Sequence, residues 1–523
     1  MRILFSTQSS SLGVFDGLRA VLDRKTGLER CGFAISDSWT YLNWLRENPD
    51  FEARGNLILK EWEITGQRNG KPDYALLTRY EREIGGEAGL FGAIVADRRL
   101  FMGKDCSYSQ DYRRRFTDDE LLCILQTALR EIDRLFEILK PDLVIGFICV
   151  TILDYLIYLF AKARGVKFLN LRPTRIGERV IYGSILNDPT PEFTGIYKRT
   201  LMEGSNLIRE ARIYIERVRE QHGMYEGVVK PSNKPAQQVK LNRKSFFKHS
   251  VQFWKTYCEY RASIAANDNH VPDMLRSTLY TGIINPWRAR KANKFLQKYY
   301  ISGTELGQRR YAFYPLHSEP EISLLVYARP FVNQIEIIRS YAMSLPADMI
   351  LVVKEHPWMV GKRRLSAYQK ILNIPRVYFA SPETEARELV KGASLVTVLT
   401  SSVGQEGAML KRPVVTTGDC PFNALPDTMV RRCRDIRRLP QTIRGLLENH
   451  KHDEHSLEAY VAAVIEISEG INLYSVLLNR KGVYAERQGD FDAELEKLAN
   501  YTMRRMVFPG QAETIYSDSV AEW

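Results

Sequence analysis

One stretch of this chain forces a particular kind of sheet. Asp142-Leu143-Val144-Ile145-Gly146-Phe147 is an apolar run after Pro141, Ile152 to Arg164 has helical spacing, and Val166-Lys167-Phe168-Leu169-Asn170-Leu171 is apolar again. Gly165 stands where a helix stops. A strand, a helix and a second strand packed into so short a span make a crossover connection, which pairs its strands in parallel. A parallel sheet is covered by helices on both faces, so the chain is expected to be α/β.

The same rhythm is read twice. Residues 1–195 open with the strand Arg2–Ser6 and a small-residue turn, Ser9-Ser10-Ser11-Leu12-Gly13. Residues 306–480 offer strands at Tyr311–Tyr314, Met349–Lys354, Arg376–Phe379, Ser394–Leu399 and Pro413–Thr416, with helices at Val332–Leu345, Leu365–Leu372, Thr384–Lys391 and Val403–Leu410 between them. Between the two lies a helical, basic insert, 196–305. Its stretch from Val228 to Cys258 holds seven lysines and arginines and no acid. The expected architecture is two Rossmann-like, doubly wound parallel-sheet domains with a helical basic insert and C-terminal helices, the last segment (481–523) packing back on the first domain. A length of 523 residues suits such a division.

Composition narrows the classes. Lys and Arg number 74 against 62 Asp and Glu, a surplus of +12 that favours anionic partners. No run reaches the ~20 apolar residues of a membrane span. The seven cysteines form no CxxC pair, which argues for a reducing cytoplasm and against a disulfide framework or a zinc site. No GxxxxGK[ST] or HExxH sequence occurs, and no RNA-binding aromatic motif, so neither a P-loop, a metal centre nor a nucleic-acid partner is expected. Within the insert, 240–258 could set Phe247, Val251, Trp254 and Cys258 on one helical face beside lysines, as a helix packed on the domains next to a solvated linker or as a contact with an anionic membrane surface.

Ligands of open parallel sheets bind beyond the carboxyl ends of the strands. The strand Met349–Val353 ends in Lys354-Glu355-His356-Pro357, a cation and an imidazole suited to a phosphate. The strand Ser394–Leu399 ends in Thr400-Ser401-Ser402, with Gly404 and Gly407 at the start of a helix, where hydroxyls and free amides make an anion site. Glycine at 404 would let a ligand approach the backbone, and Glu406 could accept hydrogen bonds from a ribose diol. Pro315-Leu316-His317-Ser318-Glu319-Pro320-Glu321 follows a strand with an imidazole and two carboxylates. His317, Glu319 and Glu321 are therefore the catalytic candidates. Arg172 and Arg175, with Ser10 in the first turn, are candidates for holding an anionic acceptor or donor group. Asp154, inside an apolar helix, needs a partner if it is buried.

These residues resemble a known family. Leu316–Glu321, the pair Asn333-Gln334, Lys354–Pro357, Thr400–Gly407, Lys411-Arg412-Pro413-Val414 and Gly418 are similar to the capsule and surface polysaccharide biosynthesis transferases. That group is GT-B-like and includes bacterial Kdo transferases. In the first half, Pro141–Phe147 and Arg172–Ile176 look like it too. The resemblance implies a glycosyltransferase with a nucleotide-sugar donor, no metal or other cofactor, and a lipid-linked or polysaccharide acceptor. With the cysteine pattern and the basic stretch 240–258, the expected location is cytoplasmic, peripheral on the inner membrane of a bacterium. The His-Pro and Ser-Ser pairs are similar to elements that hold the CMP phosphate in transferases of acid sugars. That carries a phosphate role to His356, Ser401 and Ser402 and a donor-site role to Lys354. Gly407 stands where related sequences often have an acidic or alanine residue, and no acidic-acidic-glycine base motif is found in the first half. Other readings of the same frame are a sugar-nucleotide 2-epimerase, a polyol-phosphate transferase, or a non-enzymatic polyanion- or glycan-binding protein.

Overall fold

The computed structural model describes residues 1–8, 10–86, 89–101, 115–220, 254–255, 257–259, 268, 274–319, 321–356, 359–360, 362–479 and 489–506. Among them are two sheets. The first contains β1 (Arg2–Thr7), β2 (Arg30–Ile35), β3 (Leu57–Lys60), β4 (Leu143–Gly146), β5 (Lys167–Pro173), β6 (Arg179–Gly183) and β13 (Glu469–Gly470). Their order across the sheet is β13-β6-β5-β4-β1-β2-β3. The five from β3 to β5 are parallel, and β6 runs antiparallel to β5.

The second sheet is parallel throughout. It holds β7 (Arg310–Pro315), β8 (Met349–Lys354), β9 (Val377–Phe379), β10 (Leu395–Val398), β11 (Val414–Thr416) and β12 (Val430–Arg432), in the order β12-β11-β10-β7-β8-β9. Each sheet is buried on both faces, as the alternation of side chains along a strand requires. Tyr311, Phe313, Ile350, Val352, Val396 and Val398 join one core, while Ala312, Tyr314, Met349, Leu351, Val353 and Leu395 join the other. In the first sheet Leu4, Ala34 and Val144 face one way, and Ile3, Phe5, Phe33 and Ile145 the other.

The strand order fixes where each sheet can bind a ligand. In the second sheet the chain winds outward from β7 to β9, returns, and winds the other way from β10 to β12. The switch therefore lies between β7 and β10, and a crevice opens beyond their carboxyl ends. In the first sheet the switch lies between β1 and β4.

Two expected boundaries move. The second domain was expected to run to 480, but Glu469–Gly470 already pairs with β6 of the first sheet, and Leu473 and Leu477 pack in that domain's core. The insert 196–305 is not one unit. Phe193, Tyr197, Ala211, Ile215 and Val218, on the helices Pro191–Glu203 and Ile208–Glu220, pack with the helix Glu454–Ile467 on one face of the second sheet. Ala292 and Leu296 of the helix Asn285–Leu296 pack on its other face. The helix Phe491–Met506 returns to the first domain and lies along Ser11–Thr26, where a Cβ at Gly17 would come within 2.8 Å of Leu495.

Candidate functional site

The switch of the second sheet brings together the ends of β7, β8 and β10. His317 follows β7, His356 follows β8, and Thr400, Ser401 and Ser402 follow β10. The Thr400 amide points at His317 Nε2 at 3.5 Å, and the Thr400 hydroxyl donates to the Ser323 carbonyl at 3.2 Å. Ser401 caps the helix Ser402–Met409 by accepting from the Val403 amide at 3.3 Å, and its carbonyl accepts from the Gly404 amide at 3.0 Å. Pro357 and Pro320 lie outside the described residues.

Burial shapes the chemistry of both imidazoles. It pushes the pKa of His317 down to about 3, with the nearby His356 and Arg363 adding to the effect. Burial, then Arg363 and Lys362, takes His356 down to about 4. Both rings are neutral near pH 7, so they act as hydrogen-bonding groups rather than as positive charges. A folded pKa below the unfolded value of about 6.5 means the unfolded chain takes up the proton first. His317 then contributes stability above about pH 6.5 that is lost as pH falls toward its folded pKa. Unfolding titrations between pH 6.5 and 4 should lose about 1.4 kcal/mol per pH unit from this group, and His317→Gln should flatten that slope.

A buried network holds His317 in place. Gln334 Oε1 accepts from the His317 amide at 2.8 Å, and Gln334 Nε2 reaches the His317 carbonyl at 3.4 Å. Arg363, 2% exposed along its side chain, also donates to that carbonyl. Its Nη1 pairs with Glu319 at 2.8 Å and its Nε with Glu355 at 2.8 Å, while the Tyr368 hydroxyl donates to Glu355 at 2.8 Å. Burial alone would disfavour the guanidinium charge, but Glu355 and Glu319 more than offset it. Arg363 was not among the sequence candidates.

This network separates the two candidate carboxylates. Glu319 is held by Arg363 and Gln334. Glu321 caps the short helix Ile322–Leu325 with its backbone, and its carboxylate makes no hydrogen bond to the described residues. Burial raises its pKa, and Arg175 and Arg98 of the first domain partly counter the rise. Glu321 thus stands between the two domains, as a carboxylate tuned by its surroundings.

Several other candidates have structural partners. Lys354 is the last residue of β8, and its ammonium donates to the carbonyls of Ser381 at 3.2 Å and Pro382 at 3.0 Å. Burial lowers its pKa to about 8. It braces the loop after β9 rather than the crevice. Glu406 pairs with Arg387 at 3.4 Å, and Arg387 also binds the carbonyls of Val218 and Arg219. The expectation that Glycine 404 admits a ligand is replaced by a packing reason. A Cβ at Gly404 would lie 2.8 Å from the Phe422 ring and 2.9 Å from Val398 Cγ2, and one at Gly407 would lie 3.2 Å from Val396 Cγ2. Both glycines seat the helix on the sheet. Gly404→Ala should therefore cost about 1–3 kcal/mol by overpacking, measurable as a lower denaturation midpoint.

In the first domain, Arg172 is buried inside β5. It donates to the carbonyls of Leu186 at 2.8 Å and Ile185 at 2.7 Å and pairs with Asp188 at 3.2 Å. It braces that loop. Arg175 lies past the strand end with φ 65°, and its carbonyl meets Gln405 Nε2 of the second domain at 3.5 Å. Ser10 precedes the helix Ser11–Thr26 without capping it and lines a cavity of about 820 Å³ with Gly13, Trp44 and Leu495, away from Arg175 and Glu321. Asp154 finds its partners at the first sheet's switch, accepting from Ser6 Oγ at 2.6 Å and Gln8 Nε2 at 2.6 Å; burial raises its pKa to about 6. Of 240–258, only Trp254, Lys255, Tyr257 and Cys258 fall among the described residues. No group of three or more His, Cys, Asp or Glu among the described residues is gathered as for a metal ion, and no described helix is long and apolar enough to cross a membrane.

Two doubly wound sheets, one parallel throughout and one largely so, with the helix Phe491–Met506 returning to the first of them, make the architecture GT-B-like. Residues 307–432, which hold β7 to β12, match the family described as capsule polysaccharide biosynthesis protein. The resemblance read from the motifs of the second half holds over that span, while the first-half segment lies outside it. No curated protein matches the chain. Among solved structures, the chain is similar to the beta Kdo 2,7 transferase KpsC of Thermosulfurimonas dismutans at 11% identity, covering 72% of this chain and 89% of that one, with a TM-score of 0.34. The beta Kdo 2,4 transferase of the same KpsC is similar at 13% identity, over 68% and 86%, with a TM-score of 0.34. A putative UDP-N-acetylglucosamine 2-epimerase from Listeria monocytogenes is similar at 10% identity, over 94% and 99%, with a TM-score of 0.25.

Proposed function

We propose that the protein is a glycosyltransferase of capsule or surface polysaccharide synthesis. It moves an acid sugar of the Kdo class from a CMP-linked donor to a lipid-linked or growing glycan at the cytoplasmic face of a membrane. The observation that carries the reading is the convergence of His317, His356 and Thr400–Ser402 at the switch of the sheet that matches the capsule family. Neutral imidazoles, hydroxyls and a helix N-terminus suit the leaving phosphate, whose developing charge they can stabilise by donating hydrogen bonds without carrying a full positive charge. The choice of CMP rests on the resemblance of the His-Pro and Ser-Ser pairs to transferases of acid sugars.

In the proposed reaction an acceptor hydroxyl oxygen bonds to the anomeric carbon as the bond from that carbon to the donor phosphate breaks. The electron pair leaves with CMP, and the hydroxyl proton passes to Glu321. The test is product analysis with CMP-, UDP- and GDP-sugars, each with and without acceptor. Transfer from a CMP-linked acid sugar supports the reading. A changed sugar nucleotide formed without acceptor would make the protein an epimerase instead.

A further inference from the structure

The helical run from Met274 to Leu296 exposes an apolar stripe. Leu275, Leu279, Ile283 and Trp287 are 38%, 48%, 64% and 60% exposed and recur every fourth residue. In an uninterrupted α-helix, residues four apart drift by roughly 40° around the axis at each step. Here Tyr280–Ile284 forms a single π-turn. Its wider turn reverses part of that drift and keeps the four side chains nearer one face.

The stripe continues as charge. Lys291, Lys294 and Lys298 are exposed beyond Trp287, and Lys291 Nζ lies 5.3 Å from the Trp287 ring. Arg290 is exposed beside them. Between Asp273 and Glu305 the sequence has six lysines and arginines and no acid. The opposite side of the helix is anchored, because Ala289, Ala292 and Leu296 are buried and the last two pack in the core with Tyr368 and Ile371. Single exposed apolar residues are ordinary on protein surfaces, but a row of four leading into cations is a matched surface.

We propose that this face docks on the anionic surface of a lipid bilayer. The four apolar side chains enter the headgroup boundary, and the lysines that follow meet the lipid phosphates. One sign of charge over the whole run suits a uniformly negative surface. A two-fold contact with a second copy would set the same cations against each other. The exposed residues of this face are none of those placed at the site, and lipid binding needs no sugar donor, so it stands or falls independently of the proposed transfer.

The test is sedimentation of the full chain with vesicles of phosphatidylcholine alone and with added phosphatidylglycerol. Binding to the anionic vesicles only, weakened by salt, is expected. Ile283→Ser with Trp287→Ser should lower the bound fraction at least tenfold, and Lys291→Ser with Lys294→Ser should lower it and weaken its salt dependence. Both pairs change exposed side chains, so each variant should keep the wild-type melting temperature. Wild-type protein that ignores anionic vesicles, or an Ile283/Trp287 variant that binds them as well as wild type, would overturn the proposal. So would wild-type self-association that the same variant abolishes, since that assigns the stripe to a second copy.

Discussion

Arg363→Met should be the most damaging single change near the site, lowering stability by about 3–5 kcal/mol. The methionine fills much of the volume but leaves Glu319 and Glu355 buried without their shared cation. It also frees the carbonyl of His317, which Arg363 now holds. Arg363→Lys should recover only part of the loss, since an ammonium cannot reach both carboxylates and the carbonyl in the planar geometry of a guanidinium. Chemical denaturation of the two variants measures the effect. A change below 1 kcal/mol in Arg363→Met would show that the network is not coupled as described. If the lysine variant folds, it should also lose transfer, because His317 would keep its ring but not its place.

Glu321→Gln should leave stability close to wild type and lower turnover by about 10²–10⁴-fold. The amide is the same size, and the carboxylate it replaces makes no hydrogen bond to the described residues that folding would miss. A carboxylate in the proposed role of base works only when ionised. With its pKa raised by burial, wild-type turnover should rise with pH through that value, and the Gln variant should lose the dependence. Glu319→Gln should behave oppositely, with a large loss of stability from the broken pair to Arg363. Turnover that survives Glu321→Gln would remove this residue from the proposed proton transfer.

Most of the second sheet was legible in the sequence because each strand is an apolar run stopped by turn-forming or polar residues. Met349–Lys354 is found as expected, and the helix Leu365–Leu372 likewise. The strands β6 and β13 were not legible. β13 is two residues long and becomes a strand only because β6 offers it an edge, which is a tertiary cause. Among site residues, His317, His356 and Thr400–Ser402 could be found because they follow strands at a switch. Arg172 and Lys354 misled for a related reason. Both lie inside their strands, at the last turn of pleat before the loop, and so are drawn into the protein. Arg363 was invisible because Gly361-Lys362-Arg363-Arg364 reads as solvated charge. Its partners Glu319 and Glu355 sit 44 and 8 residues away, and only the parallel pairing of β7 with β8 brings them to it. Both acids follow strands in the sequence, and a carboxylate drawn in at a strand end is the signal that could have pointed to a buried cation.

The central claim is that the switch of the second sheet grips the phosphate of a nucleotide donor. Calorimetric titration of CMP into wild-type protein, His356→Ala and the Ser401→Ala/Ser402→Ala pair tests it most directly. The account predicts binding to wild type that weakens at least tenfold in each variant, with the fold retained. CMP bound by both variants as tightly as by wild type would contradict it.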